Sequence, residues 1–274
     1  MDAAQLAERR TFLGASEVAA VVGLDPFKSP LDIWASKKGL IGEEQSIAAD
    51  MGNLFEGPLL SYYAAKHGCE VVKPGTLRHR SLSWARATPD GITGQRNLQC
   101  KLVGARMLWH WQDGPPEYVQ VQTQWEMEIA ELPMTTVIAN LGGTDYQEFE
   151  VQRDSTIAGY LIEICGRFWR DNVLGDRMPD VDGTERARAI LAAKFPRPTT
   201  GMADAVPEFV QMALRYREIN EAISAVKEEK DMLANAMRLA IGDKQGLKWP
   251  SGYVSWKPDD KGARRLYVHV SKGG

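Results

Sequence analysis

The residue periodicity changes twice between residues 70 and 154, and no other feature narrows the fold as much. The segments "EVVKPGTLRH", "SWARATPDGIT" and "LQCKLVG" are short and separated by Gly, Pro and Asn, as strands of a meander are. "EYVQVQTQWEMEIAEL", residues 117–132, then has helical spacing. "MTTVIANLGG" and "YQEFEVQRD" return to β-rich composition and read as adjacent strands. Helices flank this block. Residues 14–23 form a short one, with Ser16 as N-cap, Glu17 in the first turn and Gly23 at the end. Residues 29–39 form a clearer one, capped by Ser29, opened by Pro30 and closed by Gly39. Residues 48–68 form a third, with a kink or restart expected at Pro58, and residues 157–174 an amphipathic fourth. The order predicts an α/β (α+β) core, a mixed sheet flanked by helices.

Beyond residue 174 the composition shifts. Residues 181–204 are rich in Pro, Gly and charge, and read as a linker with one short helix near 185–193. Residues 205–241 form a long helix. Phe209, Met212, Tyr216, Ile219, Ile223 and Val226 alternate steps of three and four, and Lys230 interrupts the seam. "KWPSGYVSWKP" and "RRLYVHV" close the chain as a small β hairpin. This divides the chain into a core at 1–180, a linker at 181–204 and an arm at 205–274. In the hairpin, Trp249, Tyr253 and Trp256 stand among Lys257, Arg264 and Arg265. That mixture suits single-stranded DNA, and it equally suits the apolar core of a small sheet.

The 274 residues carry a formal net charge of -3, so any binding of nucleic acid must come from a local basic lining. Cys69, Cys100 and Cys165 are odd in number and widely spaced, which argues against disulfides and a zinc site and for a reducing, cytoplasmic setting. The polar start "MDAAQLAERRTFLGAS" is not a signal peptide, and no apolar run of about 18 residues suggests a membrane span.

Three clusters carry candidate chemistry. In the first, Asp90 ends a strand within "TPDG", and Glu56 lies on the third helix. Two acids from separate elements can meet at a hard cation. Gln99 and Lys101 share one strand face by the period of two, pointing toward Asp90, while Cys100 turns inward and leaves its carbonyl as a ligand. Lys101 would orient a water or stabilise charge on a phosphate. In the second, Arg9, Arg10 and Ser16 open a helix, with Thr88 adding a hydroxyl, as in an anion site. In the third, Gln120 and Gln124 share one helical face, with Gln122 on another. Taken singly, each has a plain alternative: a turn, a cap or a solvated charge.

Together these residues resemble the YqaJ-like viral recombinases, relatives of the bacteriophage lambda exonuclease among restriction-endonuclease-like nucleases. "R-R-x-F-L-G-A-S-E-V", "G-N-L-F-E", "A-T-P-D-G", "L-Q-C-K" and "Y-V-Q-V-Q" carry the resemblance across residues 8–172. It implies a restriction-endonuclease-like core with a Mg²⁺ site, Mn²⁺ being an alternative. It also implies a phage or prophage enzyme in a bacterial cell that digests one strand of linear duplex DNA from its 5′ end. The remaining 3′ strand would go to a single-strand annealing protein, and the subunits would form a homo-oligomeric ring of three. The implied metal ligands are Glu56, Asp90, position 99 and the Cys100 carbonyl. Lys101 is the implied catalytic lysine and Gln120 the implied active-site glutamine, with Arg9, Ser16 and Thr88 at the 5′-phosphate.

One position departs from that pattern. The family has Glu where this chain has Gln99, so the site loses a negative charge, and weaker metal binding and a much reduced rate follow. The chain is therefore read as an exonuclease impaired by an inactivating Glu→Gln at position 99. An inactive DNA-end binding scaffold and an endonuclease on the same core are the alternatives.

Overall fold

The computed structural model describes residues 3–42, 46–198 and 201–271. The chain divides into two compact units, 1–198 and 199–274.

In the first unit, α1 (Ala3–Arg9), α2 (Ala15–Val21), α3 (Pro30–Lys37) and α4 (Ile47–His67) come first. Ser29 caps α3 as its sequence predicts, accepting from the Asp32 backbone N–H while Asp32 accepts from Ser29. The start of α2 differs from expectation. Gly14 is the N-cap, Glu17 reaches back to its N–H at 2.8 Å, and Ser16 lies exposed inside the first turn. Glu17 is held there by the buried Lys37 ammonium at 2.6 Å, which also donates to the Arg9 carbonyl. A buried cation thus ties α1, α2 and α3 together. α4 runs through Pro58 without restarting and ends at Gly68 in the left-handed region.

The strands are β1 (Leu77–Arg78), β2 (Arg86–Ala87), β3 (Gly91–Thr93) and β4 (Arg96–Val103). A 3₁₀ segment (Ala105–Trp111) and α5 (Glu117–Ala130) follow, then β5 (Met134–Leu141), β6 (Asp145–Gln152) and α6 (Ser155–Arg167). α6 continues as a π-helical stretch, Phe168–Leu174, where the sequence predicts one uniform helix. The residues expected to form one meander divide. β1 pairs with β2 separately, and β3-β4-β5-β6 form the main sheet. Within that sheet β4 and β5 run parallel, and the other pairs antiparallel. A parallel pair needs a crossover, and α5 supplies it.

Strand alternation then divides the core. On one face Leu98 and Ile138 meet Leu59, Leu60 and Tyr63 of α4. On the other, Val103, Val137 and Ala139 meet Val119 of α5 and Trp111. α5 is sandwiched, because Val121, Trp125 and Ile129 point away from the sheet into a layer with α2, α3 and α6. Trp125 is fully buried and donates from its indole N–H to the Arg86 carbonyl at 3.0 Å. α7 (Glu185–Lys194), in the stretch read as linker, buries Ala187 and Ile190 in that layer, and Arg186 pairs with Asp32 at 2.6 Å.

The second unit contains α8 (Pro207–Ile241) and an antiparallel sheet of β7 (Gly246–Trp249), β8 (Gly252–Pro258) and β9 (Arg264–Val270). Phe209, Met212, Tyr216, Ile219, Ile223 and Val226 are all exposed along α8.

Candidate active site

The site forms where β3 begins, beside β4. Gly91 has no space for a side chain, since a Cβ there would lie 2.7 Å from Val71 and 3.2 Å from Leu60. The glycine lets β3 close against α4, and this fixes Asp90 immediately before it. Asp90 Oδ2 accepts two bonds, from the Cys100 backbone N–H at 2.7 Å and from Gln99 Nε2 at 2.6 Å. Gln99 and Lys101 share the β4 face turned to α5, as alternation requires.

α5 completes the network. Gln122 Nε2 donates to Gln99 Oε1 at 2.9 Å and to Glu126 Oε1 at 2.8 Å, while Lys101 Nζ donates to Gln122 Oε1 at 2.7 Å. Glu126 is fully buried, and its Oε2 accepts from Asn97 Nδ2 at 2.8 Å. A continuous polar chain therefore runs from Asp90 through Gln99 and Gln122 to Glu126 and Asn97. It lies between the sheet and α5, beside the apolar Val103, Val119, Val137 and Ala139, where unsatisfied polar groups are costly.

Burial sets the electrostatics. It pushes the Asp90 carboxyl up to about 6, helped by the nearby negative charge of Glu56 and opposed by the Cys100 N–H and by Lys101 and Lys73. Burial also pushes Glu126 up to about 7, against the amide donors Asn97 and Gln122. It lowers the Lys101 ammonium, which the neighbouring carboxylates hold up. The Cys100 thiol is pushed up by the same desolvation and is no nucleophile. At the exposed rim Lys73 pairs with Glu56 at 2.7 Å, and this bond raises the lysine.

The donors suit a hard divalent cation in kind, being two carboxylates and a carbonyl. Among the described residues, however, no three His, Cys, Asp or Glu side chains form a metal-holding group. Gln99 turns its nitrogen, not its oxygen, toward Asp90, and Lys73 covers Glu56. Glu56, Asp90 and the Cys100 carbonyl would hold the cation with one anionic ligand fewer than a Glu at position 99 would give.

The structure draws together Asp90, Gln99, Cys100 and Lys101, with Glu56 close enough to affect Asp90. Gln120 is not among them. It is exposed and donates to the Pro115 carbonyl at 2.7 Å. Gln122 stands in the network instead. Val119, Gln122 and Glu126 are spaced i, i+3, i+7, and that stripe, anchored by an apolar Val119, is the sequence signal for the sheet-facing side of α5. Thr88 is exposed and shares a hydrogen bond with Thr76 at 3.0 Å. Leu13 bridges Ala85, which lays the segment after Arg9 and Arg10 beside β2. Arg10 packs its guanidinium against Gly39. The described contacts do not join Arg9, Ser16 and Thr88 to one another.

Residues 6–133 match the family described as the YqaJ-like viral recombinase domain. YqaJ of Bacillus subtilis (strain 168) is 28% identical over 262 residues, covering 92% of this chain and 82% of that protein. Among solved structures, the alkaline exonuclease LHK-Exo from Laribacter hongkongensis superposes with a TM-score of 0.55 at 17% identity. That match covers 64% of this chain and 94% of LHK-Exo, a likeness of fold. No described helix is long and apolar enough to cross a membrane. Over residues 6–133 the chain is therefore similar to a YqaJ-like viral recombinase domain, and over most of its length to YqaJ.

Proposed function

We propose that this protein is a nuclease of the exonuclease type that acts on the ends of linear duplex DNA, in the 5′→3′ direction, during phage or prophage recombination. The observation that carries the reading is the meeting of Asp90, just before β3, with Gln99 on a β4 face that also bears Lys101, with Glu56 beside them, in a chain similar to this domain and fold. A bound Mg²⁺ or Mn²⁺ would supply Lewis-acid activation of a water and charge neutralisation at the phosphate. Asp90, Glu56 and the Cys100 carbonyl would hold it. Lys101, fixed by Gln122 Oε1, presents a proton-bearing Nζ to the phosphate or the attacking water. Arg9, Ser16 and Thr88 are the proposed contacts to the 5′-phosphate, and the proposed partners are a single-strand annealing protein and further copies of the chain.

The amide at position 99 makes this chain a weak enzyme. Digestion of a 5′-phosphorylated linear duplex in Mg²⁺, compared between the parent and Gln99→Glu, tests the reading. The variant is expected to degrade the linear duplex and spare a closed circle. A folded Gln99→Glu protein with no such activity sinks the catalytic reading. It would support a second one, a DNA-end binding scaffold, in which Asp90 Oδ2 keeps its bonds from Gln99 and the Cys100 N–H.

A further inference from the structure

The second unit offers another surface of defined chemistry. Its three strands pair antiparallel, so paired residues share a face. The register pairs Lys248 with Tyr253, Tyr253 with His269, Ser255 with Tyr267, and Lys257 with Arg265. One face therefore carries three rings and three basic side chains. The other carries Leu247, Val254, Trp256, Leu266 and Val268, with the Arg264 guanidinium laid over the Trp256 ring at 3.7 Å. Val254 is buried, and β8 packs on α8, whose last residue, Ile241, is also buried. Val254 turns the apolar face toward α8, although Leu247 and Val268 on it stay exposed, and the aromatic and basic face is open.

The open face has a definite shape. The Tyr253 ring stacks on His269 at 5.3 Å between centroids and lies 6.1 Å from Tyr267. Both tyrosines are exposed, at 43% and 58%. No Asp or Glu occurs in the three strands. Arg265 is tied at the rim to Asp259 at 2.7 Å.

We propose that this face binds single-stranded DNA, with bases stacked on Tyr253, Tyr267 and His269 and phosphates beside Lys248 and Lys257. Flat rings offer a partner only to bases that are not already stacked within a duplex, and every base has a π-face to offer. Lysines among the rings, with no carboxylate in the strands, complement a polyanion. The choice of DNA over RNA rests on the nuclease reading above; the stacking geometry does not depend on it.

The test is fluorescence anisotropy of a labelled 20-nucleotide oligo-dT with the full-length chain in EDTA, where no hydrolysis occurs. Failure here is therefore separate from failure of the nuclease reading. Tyr253→Ala/Tyr267→Ala is expected to weaken binding by at least about tenfold, the scale of losing one or two stacked bases. Tyr253→Phe/Tyr267→Phe keeps the rings and is expected to bind within about twofold of the parent. Lys248→Ala is expected to flatten the salt dependence. Equal binding by all variants overturns the proposal, as does loss in the Phe variant. Tighter binding of oligo-U than oligo-dT overturns the assignment to DNA. A change of oligomeric state in the Ala variant, seen by sedimentation with DNA binding unchanged, would make the face a contact between copies and overturn it too.

Discussion

The side-chain amide of Gln99 donates to Asp90 Oδ2 across 2.6 Å. A carboxylate at position 99 has no proton to give in that bond, and it would set a second anion against a buried first one. Gln99→Glu is therefore expected to lower stability in EDTA by about 1–3 kcal/mol. Mg²⁺ should raise its melting temperature more than it raises the parent's. Thermal unfolding of both proteins, with and without Mg²⁺, measures this. Equal Mg²⁺ shifts would remove position 99 from the proposed metal site.

The two glutamines of α5 separate cleanly. Gln122→Ala strands Gln99 Oε1 and one Glu126 oxygen in a buried setting, and it frees Lys101. A stability loss of about 1–3 kcal/mol is expected. In a Gln99→Glu background, the loss of nuclease rate should exceed tenfold. Gln120→Ala removes only an exposed bond to Pro115 and should stay within about 0.5 kcal/mol of the parent, with the rate little changed. Denaturant unfolding and an initial-rate assay decide between the two positions.

Glu126 makes stability depend on pH. Its folded-state value, about 7, is raised above the ordinary carboxylate range, so the folded protein holds this proton where the unfolded chain has released it. The stabilisation is complete below about pH 4.5 and is lost as pH rises to about 7. A turned Asn97 amide would accept the Glu126 proton through Oδ1, an atom buried without a partner. Glu126→Gln should flatten this part of the pH profile, by up to about 3 kcal/mol relative to the parent. Melting temperatures from pH 4.5 to 8 give the comparison, and parallel profiles would show that Glu126 does not titrate there.

Lys37 and Glu17 form a buried pair at 2.6 Å that joins the first three helices. Lys37→Met leaves Glu17 buried without its cation, and a loss of about 3–5 kcal/mol is expected. Adding Glu17→Gln should recover part of that loss, because the stranded charge is removed. Urea unfolding of the single and double variants measures the difference.

Most of the fold was legible because its signals are local. Ser29-Pro30 starts a helix wherever it stands, and the strand segments carry their own turn residues. The partners of those strands were not legible. Whether β4 pairs with β3 alone or also runs parallel to β5 depends on where a 14-residue helix docks, and sequence periodicity is silent on docking. The α2 cap shows a similar limit. Ser16 is the best capping residue by type, but Glu17 held by Lys37 twenty positions away fixes Gly14 instead. At the site, strand alternation placed Gln99 and Lys101 correctly on one face. The choice between Gln120 and Gln122 needed the stripe from Val119 to Glu126, and that emerges only once α5 is known to lie on the sheet.

The parallel ladder between β4 and β5 also sets when the site comes into being. Its two strands are separated by the 3₁₀ segment and all of α5, so their pairing has to close a long loop, and contacts of that kind form slowly. Gln99 meets Gln122 only after that closure. A chain emerging from the ribosome therefore has Asp90, Gln99 and Lys101 long before it has a site, and the polar network assembles in the same event that completes the sheet.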